Sequence, residues 1–205
     1  MRLAAITAGV LLAAATGPVR AADAPPASEG QRLLQGAADP GDFTDLTAGG
    51  LTSLKHKPSG LICLFGAESR GNNLHASPGG LICETASATE IDTLDAFHMP
   101  KASEADIEEA VGRAMGPFKG AQAVGGFTDA RSDRPSAPPH TSRRFAAATG
   151  TGEQLFVRVA YSQVGDWFIL QRVVSTIASA QAADLDGERR LLAAIGQVMD
   201  RQAGR

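Results

Sequence analysis

The chain has 205 residues, a formal net charge of −3 and 43% hydrophobic residues. This length fits one domain of ordinary size, which can bury a core without several disulfides. Proteins that neutralise nucleic-acid phosphates carry clustered lysine and arginine, whereas this chain is mildly acidic and has no lysine after Lys119. We therefore expect no DNA or RNA partner.

The N-terminus has the pattern of a secretory signal. Arg2 precedes an uncharged apolar stretch over 3–15, and Val19-Arg20-Ala21 fits the small-residue rule for cleavage after Ala21. The stretch is shorter than the roughly 20 apolar residues that span a bilayer. We expect residues 1–21 to be removed and the protein to be periplasmic or secreted, without a membrane span. The alternative is an uncleaved N-terminal helix packed on the domain.

Residues 22–42 are predicted to form a flexible leader. Small, polar and proline residues dominate its first part and cannot offset the entropy lost on ordering. A short helix over 31–35 would stop at Gly36. The sequence therefore predicts one folded domain over 43–205, beginning near Phe43.

A similar six-residue segment occurs twice, at 58–63 and 78–83, and each copy ends in one of the two cysteines. Short apolar runs separated by proline and glycine over 51–98 are typical of strands joined by turns. Because side chains alternate along a strand, the copies present Cys63 and Cys83 with the same parity. An exported chain with an even cysteine count favours a disulfide between them. The alternative is two inert buried thiols.

Two helices are predicted. Ser103 can cap a helix over about 103–116, whose apolar residues recur every three or four positions and which Pro117 ends. A second helix over about 184–200 carries one apolar stripe. Residues 124–128 read as a strand, and the proline-rich segment 129–142 as an exposed loop.

Three strands are predicted over 143–148, 154–161 and 167–175, joined by glycine-containing turns. The third contains four consecutive apolar residues, 167–170, which indicates a central strand covered on both faces. The order of strands, helix, strands and helix favours an α+β fold, with an antiparallel sheet covered by helices. By element order alone it is similar to the small α-β-α sandwiches of the photosystem PsbP type, an analogy of fold that transfers no function.

The residues that define the familiar catalytic motifs are absent from the sequence. No His-x-x-x-His, nucleophile elbow, phosphate-binding glycine loop or haem-attachment motif occurs, so no catalytic, metal or cofactor residue is assigned. Glycoside cleavage would need a pair of carboxylates, and one group of acidic residues could supply it. The same residues are better explained as the solvated face of a helix. That group comprises Asp92, Asp95, Glu104, Asp106, Glu108 and Glu109.

One local cluster has the chemistry of an anion-binding site. Guanidinium groups grip carboxylates and phosphates in a forked geometry, and cationic residues gather in and beside the proline-rich loop. The alternative is that they solubilise the loop and pair with nearby acids. The cluster comprises Arg131, Arg134, His140, Arg143 and Arg144.

These observations favour an exported, non-catalytic binding or accessory domain whose partner is an unidentified protein or small ligand. An enzyme is the less favoured class. It would be a hydrolase whose site forms only in the fold, with a general base drawn from His56, His75, His98 and His140. A structural component of the cell envelope is the third possibility.

Overall fold

The computed structural model describes residues 28–66, 71–77, 79–126, 134 and 136–204. The predicted signal segment 1–21 lies outside the described residues, as do leader residues 22–27 and residues 129–133 and 135 of the proline-rich loop. The described residues form an α+β fold of antiparallel sheets and helices, as the sequence predicts.

A small sheet opens the fold. Its three antiparallel strands lie in chain order and are β1 (Phe43–Asp45), β2 (Thr52–His56) and β3 (Ile62–Phe65).

The main sheet has seven antiparallel strands in the order β4-β5-β6-β10-β9-β8-β7. Two consecutive meanders thus meet where β6 pairs with β10. The predicted central strand is confirmed, because β10 has three strands on either side. The bounds are β4 (Gly71–Ser77), β5 (Gly80–Ala86), β6 (Glu90–His98), β7 (Lys119–Ala123), β8 (His140–Ala148), β9 (Gln154–Val164) and β10 (Trp167–Thr176).

Among the described residues, three α-helices accompany the sheets: α1 (Glu29–Gln35), α2 (Glu104–Met115) and α3 (Ala180–Ala203). Two of them begin with a capping box, in which Ser28 and Ser103 accept a backbone hydrogen bond from the third helical residue. Both predicted helices are confirmed, although α3 begins four residues earlier than expected.

The long helices cover opposite faces of the main sheet. Strand alternation turns Ile169 towards the apolar stripe of α3, and turns Phe168 and Leu170 towards Ala110 and Val111 of α2. The arrangement is therefore an α-β-α sandwich. The small sheet packs into the core on the α3 side.

Close contact between α3 and the sheet depends on Gly187. A Cβ atom at this position would lie 2.9 Å from Val173 Cγ2, nearer than real Cβ contacts allow. The absence of a side chain therefore lets the helix axis approach β10.

Cys63 and Cys83 form the predicted disulfide, with their Cα atoms 5.8 Å apart. The two copies of the repeated segment become β3 and β5, which belong to different sheets. The bridge therefore links the small sheet to the main sheet.

Three sequence-based boundaries differ from the structure. Helix α1 lies within the predicted leader 22–42 and contacts β2 and β4, because Leu33 and Leu34 reach the core. Strand β8 begins at His140 inside the predicted loop 129–142, where pairing with β9 extends it. A strand was predicted over 124–128, but β7 ends at Ala123 and residues 124–126 are not in a strand, while 127 and 128 lie outside the described residues.

Across the described ranges, no helix is long and apolar enough to cross a membrane.

Candidate functional site

Helix α2 covers only half of its face of the main sheet. Helix α2 packs over β8, β9 and β10, where Val157, Val159 and Phe168 join its cluster. The neighbouring strands β4, β5 and β6 leave an open groove of about 660 Å³ beside the helix. This groove is the candidate site, because binding pockets are concave and combine apolar walls with a few polar groups.

Strand register places the polar groups of the groove together. Thr93 of β6 lies opposite Glu84 of β5 and Arg172 of β10, while Asp95 lies opposite Ile82 and Leu170. Residues directly opposite each other in antiparallel strands have Cβ atoms about 5 Å apart. The floor of the groove therefore contains two adjacent rows of side chains. One is polar and consists of Glu84, Thr93 and Arg172. In the other, Asp95 lies between the aliphatic side chains of Ile82 and Leu170.

The polar row is held by hydrogen bonds. Arg172 Nη2 donates to Thr93 Oγ1 at 3.1 Å and lies 3.7 Å from Glu84 Oε2. Arg172 Nη1 donates to the carbonyl oxygen of Ala114 at 3.4 Å, which ties the row to α2. Glu84 also accepts from Asn73. Arg172 and Glu84 therefore balance each other's charge.

Asp95 is different, since its carboxylate has neither a hydrogen bond nor an ion pair with any residue in the described ranges. The side chain is partly buried, and its Oδ1 is enclosed. Burial raises the pKa of Asp95 to about 7, and the positive charge of Arg172 opposes this rise. Asp92 and Glu84 reinforce it, and Arg113 adds a weak opposing effect. A strongly raised carboxyl pKa in a cleft is a marker of functional sites.

The walls of the groove are mainly apolar. Ile82, Phe97 and Leu170 line the floor, and α2 contributes the small side chains of Ala110 and Ala114. His75 and Arg113 stand at the sides. Arg113 is paired with Glu109 at 2.9 Å on the helix surface. The groove can therefore hold an apolar body of modest size and present one unpaired carboxylate to it.

The opposite face of the sheet carries a sealed ionic cluster beneath α3. Arg158 is fully buried and donates to Glu188, to Gln171 and, at 2.9 Å, to Ser142. Its Nε lies 3.4 Å from Asp184 Oδ1. These charges are paired and enclosed, as buried charges must be if the fold is to tolerate them.

Two predicted anion-binding residues belong to this ionic cluster. His140 Nε2 lies 2.5 Å from Glu188 Oε1, and Arg144 Nε donates to both oxygens of Asp184 at 2.7 and 2.9 Å. Burial acts to raise the pKa of Glu188, but His140 and Arg158 outweigh it, so that this pKa is lowered. Both side chains therefore bind carboxylates of this chain.

The other predicted anion-binding residues lie apart from these. Arg143 binds Glu108 on α2 at 2.6 Å, and Arg134 binds Asp200 on α3 at 2.6 Å. Because α2 and α3 cover opposite faces of the sheet, the described members do not converge on one surface. Arg131 lies outside the described residues. Binding of an external anion stays a prediction.

The four histidines are dispersed. His56 Nδ1 lies 2.8 Å from Ser59 Oγ, but Ser59 has no solvent exposure and His56 packs against Phe43 and Trp167. Burial lowers the pKa of His56, although Asp42 opposes this. His98 is exposed beside Trp167. Only His75 reaches the candidate groove.

The acidic group considered for glycoside cleavage divides into two sets. Glu104, Asp106, Glu108 and Glu109 are exposed on α2, as a solvated helix face requires. Asp92 and Asp95 instead lie on opposite faces of β6, which corrects their placement on such a face. Four charged or polar residues of the groove were not singled out from the sequence: Glu84, Thr93, Arg113 and Arg172.

A sequence signal does exist for Arg172 and for the separation of Asp92 from Asp95. Arg158 and Arg172 interrupt apolar runs in central strands. Asp92 and Asp95 are three residues apart, a spacing that places them on opposite faces of one strand. Charged residues in strands covered on both faces must be paired internally or placed at an opening.

Metal-ligating side chains do not cluster in the part of the chain that the structure describes, where no group of three could hold a metal ion. In comparisons with known proteins, no protein-family model matches the chain and no curated protein is a significant match.

Proposed function

We propose that this protein is an exported, non-catalytic binding domain that holds a small ligand in the groove beside α2. One observation carries the proposal: a groove of about 660 Å³ with mainly apolar walls contains a partly buried carboxylate without a partner. Sites for small molecules combine these two properties.

Export is supported by the chain's own features. The N-terminal pattern fits a cleaved signal with a cut after Ala21, and the disulfide between Cys63 and Cys83 suits an oxidising compartment. A periplasmic or secreted location is therefore part of the proposal.

Binding is favoured over hydrolysis by the surroundings of the histidines. A serine nucleophile must reach substrate and lie within hydrogen-bond distance of its base. Ser59 meets the second condition with His56 but is fully enclosed. Ser142 donates to Glu188 at 3.3 Å and accepts from the buried Arg158, so it is engaged in the ionic cluster.

The test uses three probes that share one apolar body: phenylethylamine, phenylethanol and phenylpropanoate. Each is titrated into the ¹⁵N-labelled mature protein while amide chemical shifts are recorded. We expect saturable shifts at Ile82, Asp95, Phe97 and Leu170, which line the groove, and none on the α3 face.

A groove-filling variant provides the control. Ala114→Trp places a large ring in the groove and should abolish the shifts, whereas Ala105→Trp adds the same ring at an exposed position of α2 and should preserve them. Thermal unfolding verifies that both variants fold. Absence of groove shifts with all three probes overturns the proposed function and leaves the envelope-component hypothesis.

A further inference from the structure

We infer that the ligand of the groove is a cation, an ammonium or guanidinium group on a short apolar body, and that Asp95 is its partner. This inference rests on the proposed function and specifies the chemistry of the same site.

The charge balance of the groove supports a cation. Arg172 is matched by Glu84 at 3.7 Å and Arg113 by Glu109 at 2.9 Å. The carboxylate of Asp95 is left over, since it has no ion pair with any described residue. A positively charged ligand would supply the missing partner, whereas an anion would place a second negative charge beside Asp95.

Geometry sets the form of the ligand. Asp95 lies between Ile82 and Leu170 across the strands, and Phe97 follows it on the same face of β6. A cation that reaches Asp95 therefore has its body against aliphatic and aromatic side chains. Burial of that body favours binding in proportion to the apolar surface removed from water, and Phe97 can add a cation–π contact.

The ionised form of Asp95 is the one that binds a cation, so affinity should depend on pH. With its pKa at about 7, Asp95 is mostly ionised at about pH 8 and mostly protonated at about pH 6. The ionised fraction, and with it the affinity for the amine, falls about tenfold across this interval. The other titratable or charged groups facing the groove are His75 from β4, Glu84 from β5, Arg172 from β10 and Arg113 from α2.

The variant Asp95→Asn isolates the contribution of the carboxylate, since it removes the negative charge while preserving size and leaves His75 in place. Asp186→Asn is the matched control, because it removes one exposed carboxylate on α3, behind the sheet.

The experiment compares the same three probes at about pH 8, where phenylethylamine is protonated and Asp95 is ionised. We expect phenylethylamine to bind about tenfold more tightly than phenylethanol, and phenylpropanoate to bind most weakly. The preference for the amine should disappear in Asp95→Asn and persist in Asp186→Asn. Only proteins that retain Asp95 should show the tenfold loss at about pH 6.

The outcomes separate this inference from the proposed function. If the alcohol or the carboxylate occupies the groove as tightly as the amine, the groove is a binding site but the ligand is not a cation. An amine preference that survives in Asp95→Asn also overturns the assignment to Asp95. Groove shifts with none of the probes overturn both.

Discussion

The two faces of the main sheet treat charge differently. Beneath α3, Arg158 is fully buried and shares Glu188, Asp184 and Gln171 with neighbouring side chains. Beside α2, Asp95 is partly enclosed and has no partner among the described residues. The first arrangement satisfies charges that the fold has buried, and the second leaves one charge available.

This difference suggests separate roles for the two faces: the charges beneath α3 maintain the structure, and the carboxylate beside α2 is the one that a ligand could contact. A closed ionic cluster has little to offer a ligand, because a ligand would have to displace partners already in place. An unpaired carboxylate in an open groove lowers stability when it is ionised, and a ligand can recover that free energy. Stability and function often oppose each other in this way at binding sites.

The largest expected effect comes from opening the closed cluster. Arg158→Met should lower the free energy of unfolding by about 3 to 5 kcal/mol, because it leaves Glu188 and Asp184 buried without their shared cation. Arg172→Met, on the partly open face, should cost about 1 kcal/mol. Urea unfolding at neutral pH measures both, and equal losses would show that the two faces do not differ.

The disulfide ranks second. Replacing Cys63 and Cys83 together by serine should lower the free energy of unfolding by about 3 kcal/mol, because an unfolded chain without the bridge regains loop-closure entropy. The bridge itself is checked by intact mass after alkylation without reductant. Two alkylated thiols in the purified protein would contradict the bridge.

The third effect has the opposite sign. Folding raises the pKa of Asp95 to about 7, so the folded protein holds this proton more tightly than the unfolded chain. The resulting loss of stability grows from about pH 4, where the unfolded carboxyl ionises, to about pH 7 and is constant above it. Asp95→Asn should therefore stabilise the protein, by about 2 to 3 kcal/mol more at about pH 8 than at about pH 5. Urea unfolding at both pH values measures this gain.

Asp186→Asn again serves as the control, because it removes an exposed carboxylate from the other side of the sheet. A loss of stability in Asp95→Asn at about pH 8 would mean that Asp95 has a partner that stabilises its ionised form.

The smallest effect concerns an exposed ion pair. Arg143→Ala removes a contact with Glu108 in which both side chains are substantially exposed, and it should cost less than about 1 kcal/mol. Arg144→Ala should cost more, because it leaves the fully buried Asp184 with one cation fewer. Thermal unfolding of the two variants provides the comparison, and equal losses would contradict it.

These two substitutions also test the predicted anion site. Weaker binding of an acidic ligand to either variant, in a titration at constant salt, would support that prediction. Unchanged affinity would remove it.

Local patterns were enough to predict much of the fold. The consecutive apolar residues 167–170 identified the central strand, and Ser103 with the periodicity after it identified α2. The equal parity of Cys63 and Cys83 predicted their bridge. Each of these inferences depends on residues that are close together in the sequence or on one covalent pairing rule.

The candidate site could not be predicted in the same way. Asp95 and Arg172 are placed together by the pairing of β6 with β10, whose register no local pattern encodes. The spacing of Asp92 and Asp95 fits either a helix or two faces of a strand, and the helical interpretation grouped both with the acids of α2. The first turn of α3 was missed because Gln181 and Ala182 carry no apolar periodicity.

The pairing of β6 with β10 determines when the groove forms during folding. The meander β4–β6 and the meander β7–β10 share this single strand junction, and the groove floor crosses it, with Asp95 on one side and Leu170 and Arg172 on the other. Neither half of the chain contains the site by itself. During folding, the groove therefore forms only when the two meanders have docked, so binding of the proposed ligand would report that docking.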